Sequence, residues 1–128
     1  MQELQVNKEN CFSVLMAVYK KEQPLFFKEA LRSVFEQSLI PNEVVLVKDG
    51  PLTEELEQII VDFSSKNEQL KVITLEKNQG LGEALRIGLN ACSFDLVARM
   101  DSDDICKPYR FEKQIAFLKE HKEITIVG

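Results

Sequence analysis

Three carboxylates stand close together in the sequence, directly after a short apolar run. Asp101, Asp103 and Asp104 follow Leu96–Met100, which has the length and composition of a buried strand. Because alternate side chains of an extended backbone point the same way, we expect the carboxylates of Asp101 and Asp103 to point together. No His or Cys is adjacent to them. Such a pair of hard oxygen donors suits Mg²⁺ or Mn²⁺, which can bind the phosphates of a substrate at the same time.

The same acids also fit two simpler interpretations. A group of acids in a loop is often a solvated turn or a helix cap. An EF-hand loop that begins at Asp101 would place Glu112 at its last ligand position. Ile105 and Cys106 exclude the EF-hand, because they occupy a ligand position and the position of the required glycine. The location directly after a buried strand favours metal binding over a turn. A cation there could bridge the acids to the diphosphate of a sugar nucleotide and stabilise the charge on the leaving group, so metal-assisted glycosyl transfer is the predicted reaction class.

Strands and helices alternate along the sequence, and that order decides where the acids lie. Apolar runs of strand length predict five strands, at Phe12–Tyr19, Glu43–Lys48, Lys71–Leu75, Leu96–Met100 and Ile124–Val127. Helical periodicity predicts four helices, which begin at Pro24, after the cap residue Thr53, at Leu81 and at Pro108. In the third helix Gly88 interrupts the apolar face, where the helix could approach the sheet closely. The predicted fold class is α/β, with a mostly parallel sheet and helices on both faces in a Rossmann-like arrangement.

Polar residues follow each of the first four predicted strands. They are Tyr19, Asp49, the segment Asn78–Gly80 and the acids Asp101–Asp104. Because the carboxyl ends of parallel strands meet at one edge of a sheet, we expect these four segments to form one crevice. Taken alone, Asp49 in its Asp-Gly-Pro sequence is also typical of a turn. Gly80–Leu85 resembles a dinucleotide-binding loop, but the third glycine is missing and an ordinary helix start is favoured.

The composition limits the classes of function. The formal net charge of −5 argues against a general binder of nucleic acid or of acidic membranes, and we expect no nucleic-acid partner. The three cysteines are widely spaced, which fits a reducing, cytoplasmic location. Apolar runs are too short to span a bilayer, and the polar residues 1–10 lack the apolar core of a signal peptide. We expect a polar N-terminal extension over 1–10 and one domain over 11–128.

Several segments together resemble the nucleotide-sugar-binding half of family 2 glycosyltransferases. The matching segments are 13–19, 43–50, 78–85, 98–104 and 108–114, in the family's order and spacing. The resemblance covers about residues 11–128 and is closest to the bacterial branch that builds exopolysaccharide, capsule and O-antigen units. It implies a GT-A fold, a nucleotide-diphospho-sugar donor, with a UDP-sugar expected, and a divalent metal, Mg or Mn. It also implies transfer to a saccharide or lipid-linked acceptor, with inversion, at the inner face of the cytoplasmic membrane.

The resemblance also implies roles for individual residues. The implied donor-binding residues are Ala17, Val18, Tyr19, Glu22, Asp49, Asn78, Gly80, Arg86, Asp101, Ser102 and Asp103. Main-chain groups after the first strand and the carboxylate of Asp49 would hold the base. The metal ligands would be Asp101 and Asp103, with Asp103 the principal one. Two departures stand out: Lys20 replaces a common Asn, and Arg86, the implied diphosphate contact, lies one position later than the family's usual arginine.

The catalytic base and the acceptor site of this family lie beyond the metal motif, so we expect them beyond residue 128. We therefore expect the chain to be truncated, to be inactive alone and to self-associate through the edge of its last strand. A receiver-like signalling module is a rival of similar length and alternation. It would need acids at Val18 and Tyr19 and a phosphorylatable Asp near Glu76 and Lys77. A catalytically idle nucleotide-binding domain is a further alternative.

Overall fold

The computed structural model describes residues 11–120 and 126–127, and the predicted N-terminal extension over 1–10 lies outside them. Strands and helices alternate as the sequence predicts, in the order β1 Phe12–Val18, α1 Pro24–Phe35, β2 Glu43–Lys48, α2 Glu54–Lys66, β3 Leu70–Thr74, α3 Leu81–Ala91, β4 Leu96–Asp101, α4 Arg110–Glu120 and β5 Ile126–Val127. The Thr53 hydroxyl accepts a hydrogen bond from the amide of Leu56, which confirms the predicted cap of α2. Within the described residues, the helices are too short or too polar to cross a bilayer.

Several boundaries differ from the prediction. Strand β3 covers Leu70–Thr74 rather than Lys71–Leu75, and β4 extends one residue further, to Asp101. The first strand ends at Val18, because Tyr19 begins a turn in which its carbonyl accepts a hydrogen bond from the amide of Glu22 at 3.0 Å. The last helix begins at Arg110 rather than at Pro108. The Pro108 carbonyl instead accepts a hydrogen bond from the amide of Ser38 at 2.7 Å, so it lies in a connection that packs beside α1.

The five strands form one parallel sheet in the order β3-β2-β1-β4-β5. The chain moves outward from β1 through β2 to β3 and then returns to place β4 on the other side of β1. In the register of the sheet, Ala17 lies between Val47 and Asp101. The carboxyl ends of β1 and β4 therefore meet at the point where the strand order reverses, which is where open α/β sheets bind their ligands.

Both faces of the sheet are covered, which confirms the predicted fold class. Alternating residues of β1 from Phe12 to Val18 face a core that includes Phe27 of α1 and Leu56 of α2. Phe111 of α4 joins this core through an edge-to-face contact with Phe12 at 5.3 Å between ring centroids. The opposite face of β1 and β2 packs against α3. This two-sided burial explains why the inner strands are nearly continuous apolar runs.

Gly88 allows α3 to lie directly on the sheet, as its position in the apolar face predicts. A Cβ atom at Gly88 would overlap the side chain of Leu15 and would lie 2.7 Å from Cγ2 of Val47. Val47 is fully buried, and its branched side chain has little freedom to move away. Replacing Gly88 with Ala is therefore expected to lower the free energy of unfolding by about 1–3 kcal/mol.

Chemical denaturation measures this loss, and Gly82 of the same helix supplies a matched control. A Cβ atom at Gly82 meets nothing within 4 Å. Gly82→Ala should leave stability unchanged or raise it by up to about 1 kcal/mol, because Ala favours the helix. Equal effects of the two substitutions would contradict the close contact between α3 and the sheet.

Candidate functional site

An open cavity of about 490 Å³ lies at the carboxyl ends of the strands, above the junction of β1 and β4. Its volume is in the usual range for small-molecule sites. The cavity is lined by Ala17, Val18, Tyr19, Glu22, Asp49, Asn78, Gly80, Leu81, Arg99, Asp101, Ser102 and Asp103. All the predicted donor-binding residues except Arg86 are in this group, so the predicted crevice exists. Their individual roles stay predictions.

The acidic motif forms a compact cluster at the end of β4. The side chains of Asp101, Asp103 and Asp104 each place a carboxylate oxygen within 4.8 Å of the others, and all three residues are exposed. A turn brings them together, since the amide of Asp104 donates to the carbonyl of Asp101 at 3.1 Å. Partial burial and the charges of Asp101 and Asp103 raise the pKa of Asp104.

This cluster has the chemistry that a divalent cation requires. Three hard oxygen donors at one place suit Mg²⁺ or Mn²⁺. Burial and then repulsion from Asp101 and Asp103 raise the pKa of Asp104, and a bound cation would relieve the repulsion. The residues therefore fit the ion that the motif implies. Sequence reasoning assigned the ion to Asp101 and Asp103 alone, and the structure adds Asp104 to the group.

Glu22 connects the turn after β1 to the middle of the acidic motif. Ser102 is 8% exposed, and its hydroxyl donates a hydrogen bond to Oε2 of Glu22. The other oxygen of Glu22, Oε1, accepts from the amide of Gln23 at 3.1 Å. Ser102 is therefore turned inward, between two aspartates whose side chains remain exposed. The bond fixes the backbone from which Asp101 and Asp103 project.

Asp49 anchors the loop that follows β3. The residue is 5% exposed, and its carboxylate accepts hydrogen bonds from the amide of Gln79 at 2.7 Å and from the amide of Gly80 at 3.1 Å. The adjacent Gly50 has φ +91°, and a Cβ there would lie 2.6 Å from the backbone nitrogen of Asn78. Each carboxylate oxygen keeps a second lone pair, so Asp49 can hold this loop and still accept a hydrogen bond from a ligand.

Two cavity residues were missed by sequence reasoning. Leu81 begins α3 and is 52% exposed. Arg99 lies on β4, and its Nη2 donates to Oδ1 of Asp101 at 2.9 Å. The signal for Arg99 was present in the sequence, because residues two apart on a strand share a face and Asp101 was already a candidate.

Arg86 lies away from the cavity lining. It is exposed on α3, and its Nε donates to Oε2 of Glu83 at 3.0 Å. The pair occupies one exposed face of the helix, with a spacing of three residues. This placement gives no support to the predicted diphosphate contact.

Comparison with known proteins agrees with this geometry. The family described as "Glycosyl transferase family 2" matches residues 13–128. The Escherichia coli protein named UDP-Gal:alpha-D-GlcNAc-diphosphoundecaprenol beta-1,3-galactosyltransferase is 47% identical over 91% of this chain and 42% of its own length. The amylovoran biosynthesis glycosyltransferase AmsE of Erwinia amylovora is 45% identical over 91% of this chain and 44% of its own length.

A solved structure gives the same result for the fold. S. aureus TarS 1-349 in complex with UDP-GlcNAc superposes with a TM-score of 0.75 and 32% identity, over 88% of this chain and 32% of TarS 1-349. The chain spans less than half the length of each of these three proteins. The resemblance inferred from the motifs is confirmed: this chain belongs to glycosyltransferase family 2.

Proposed function

We propose that this chain binds the nucleotide-diphospho-sugar donor of a glycosyltransferase, with a UDP-sugar as the expected donor. The observation that carries the proposal is the placement of Asp49, Asp101 and Asp103 in one cavity at the reversal of strand order, with Asp104 in the same acidic cluster. Asp101 and Asp103, with Asp104 beside them, would hold a divalent cation. That cation, when bound, neutralises the diphosphate and stabilises the charge that develops on the leaving nucleotide.

The remaining residues of the cavity position the donor. The Asp49 carboxylate and the main chain from Ala17 to Tyr19 are proposed to hold the base, and the loop Asn78–Gly80 closes the same side of the cavity. Tyr19, at 43% exposure, offers a flat apolar surface at the rim. An acidic site of this kind needs the cation, because Glu22 and the aspartates would otherwise repel a diphosphate.

The proposal extends to the whole protein of which such a chain forms part. We propose transfer of the sugar, with inversion, to a saccharide or lipid-linked acceptor in surface polysaccharide synthesis, at the inner face of the cytoplasmic membrane. The names of the relatives support this direction, since one refers to a diphosphoundecaprenol acceptor and another to amylovoran. The base that deprotonates the acceptor and the acceptor contacts are proposed to lie beyond residue 128, and we therefore expect this chain alone to bind donor without turnover.

Calorimetric titration of the purified chain tests donor binding. UDP, GDP and CMP are each titrated with Mn²⁺ and again with EDTA. We expect UDP to bind in Mn²⁺ and to lose at least about 10-fold in affinity in EDTA, because the cation carries the diphosphate. CMP, which has one phosphate fewer, should bind more weakly than UDP. Equal binding of UDP in Mn²⁺ and in EDTA would contradict the proposal.

A further inference from the structure

Arg99 stands out among the charges of the cavity. Among the described residues that line it, Arg99 is the only cation, beside the acids Glu22, Asp49, Asp101 and Asp103. Its side chain is 40% exposed and its partner Asp101 is 48% exposed. An ion pair exposed to this degree contributes only about 0–1 kcal/mol, so the pair can be exchanged for another at little cost.

A second observation indicates that the guanidinium is prepared for a further partner. Nε of Arg99 is buried and has no hydrogen-bond partner among the residues that the structure describes. A buried donor without an acceptor is unfavourable and rare, and a ligand that binds beside Arg99 would supply the missing acceptor. The guanidinium therefore has Nη2 in a weak ion pair with Asp101, while its Nε–H has no acceptor among the described residues.

The position of Arg99 relative to the acidic cluster identifies the class of that group. Nη2 of Arg99 lies 2.9 Å from Oδ1 of Asp101. A divalent cation held by Asp101 and Asp103 would bind the phosphate oxygens of the donor beside that same carboxylate oxygen. The guanidinium is therefore close to the place where such a phosphate would be held. Its planar array of donors matches phosphate oxygens in pairs.

We propose that Arg99 is a diphosphate contact of the donor. In the free chain the Arg99 guanidinium pairs with Asp101. When Asp101 holds a divalent cation, the guanidinium instead donates hydrogen bonds to the phosphate oxygens of the donor. The inference rests on the proposed function and adds a residue to which neither the motifs nor the family resemblance gives a role. It also moves the phosphate contact from Arg86 on α3 to the strand that carries the metal motif.

Arg99→Gln and Arg99→Lys test the contact by titration with UDP and with uridine in Mn²⁺. We expect Arg99→Gln to bind UDP about 10- to 100-fold more weakly and uridine as the wild type does, because only the diphosphate loses a partner. Arg99→Lys keeps the charge without the planar donor array, so its UDP affinity should lie between those of the wild type and Arg99→Gln. The matched control is Arg32→Gln, which removes an exposed guanidinium paired with Glu29 on α1 and should change neither affinity.

A second measurement is the affinity for Mn²⁺ alone, obtained by electron paramagnetic resonance of the free ion. If Arg99 only supported the fold, its replacement would not raise this affinity. Because Arg99 competes with the cation for Asp101, Arg99→Gln should bind Mn²⁺ several-fold more tightly while it binds UDP more weakly. An equal loss for UDP and uridine, or Arg99→Lys indistinguishable from the wild type, would overturn the contact. The contact would also be overturned if Arg86→Gln lost UDP affinity and Arg99→Gln did not. If the wild type bound no UDP in Mn²⁺, the proposed function itself would fail, and this inference with it.

Discussion

Asp103→Asn is expected to remove Mn²⁺-dependent binding of UDP, with a loss of more than about 100-fold in affinity. Groups that only support metal ligands commonly contribute 10- to 100-fold to metal affinity, so a direct ligand should contribute at least as much. Asp103 lies in the acidic cluster and lines the cavity, and asparagine would offer the cation a neutral amide oxygen in place of a charged carboxylate. Calorimetry with UDP and resonance measurements with Mn²⁺ alone should both report the loss.

The fold should be unaffected, because the side chain of Asp103 is exposed and the substitution changes one atom. The thermal unfolding temperature of Asp103→Asn is therefore expected to match that of the wild type. Asp62→Asn is the matched control, since it removes an exposed carboxylate from α2, far along the chain from the acidic cluster, and should leave the UDP affinity unchanged. Wild-type affinity in Asp103→Asn would show that the cluster does not hold the cation on which the donor depends.

The second large effect concerns a buried carboxylate at the opposite end of the sheet. Glu43 begins β2, and its side chain is 3% exposed. It accepts hydrogen bonds from the hydroxyl of Ser13 at 2.6 Å and from the amide and hydroxyl of Ser93, both at 2.7 Å, and it pairs with the ammonium of Lys71. Burial opposes ionisation, but the bonds from Lys71, Ser13 and Ser93 outweigh it and lower the pKa of Glu43 to about 2.

Glu43→Gln is expected to lower the free energy of unfolding by about 3 kcal/mol at pH 7. A pKa of about 2 in the folded chain against 4.5 in the unfolded chain means that the ionised group stabilises the fold fully above about pH 5. This contribution is lost as the pH falls from about 5 to about 2, because the unfolded chain then takes up the proton first. The wild type should therefore lose stability in this range faster than Glu43→Gln does.

Urea denaturation at a series of pH values between 7 and 3 measures the two curves. They are expected to be about 3 kcal/mol apart at neutral pH and to converge as the pH falls. Curves that stay parallel below pH 5 would show that the network does not stabilise the ionised form. UDP binding should be unchanged at pH 7 in the folded variant, since Glu43 lies at the amino ends of the strands and the cavity at their carboxyl ends.

Local patterns were sufficient to predict the elements wherever burial is nearly complete. The strand Glu43–Lys48 was predicted with the bounds that the structure gives, because burial on both faces of the sheet requires a continuous apolar run. The start of α4 was not predicted correctly, although Pro108, where we expected it, is a typical first residue of a helix. There a hydrogen bond to Ser38, distant in the sequence, holds Pro108 in the preceding connection. No local pattern contains such a contact.

The same distinction applies to the site. The meeting of Tyr19, Asp49 and Asp101 at one cavity follows from strand order alone, since all of them follow parallel strands. The partners of their side chains do not follow from it. The bond of Ser102 to Glu22 and the salt bridge of Arg99 to Asp101 depend on rotamers and on the exact path of each turn. Those details decide which charged side chains face the cavity, and local sequence patterns do not contain them.

The central position of β1 has a consequence for how the protein is made. Its two neighbours in the sheet are β2, which follows soon after it, and β4, which is separated from it by two further strands and three helices. Pairing across such a long stretch of chain is slow, because the entropy of closing the loop is lost before the contact forms. During synthesis on the ribosome, the sheet around β1 therefore remains half built until β4 has emerged. The cavity between the ends of β1 and β4 then forms as one of the last events of folding.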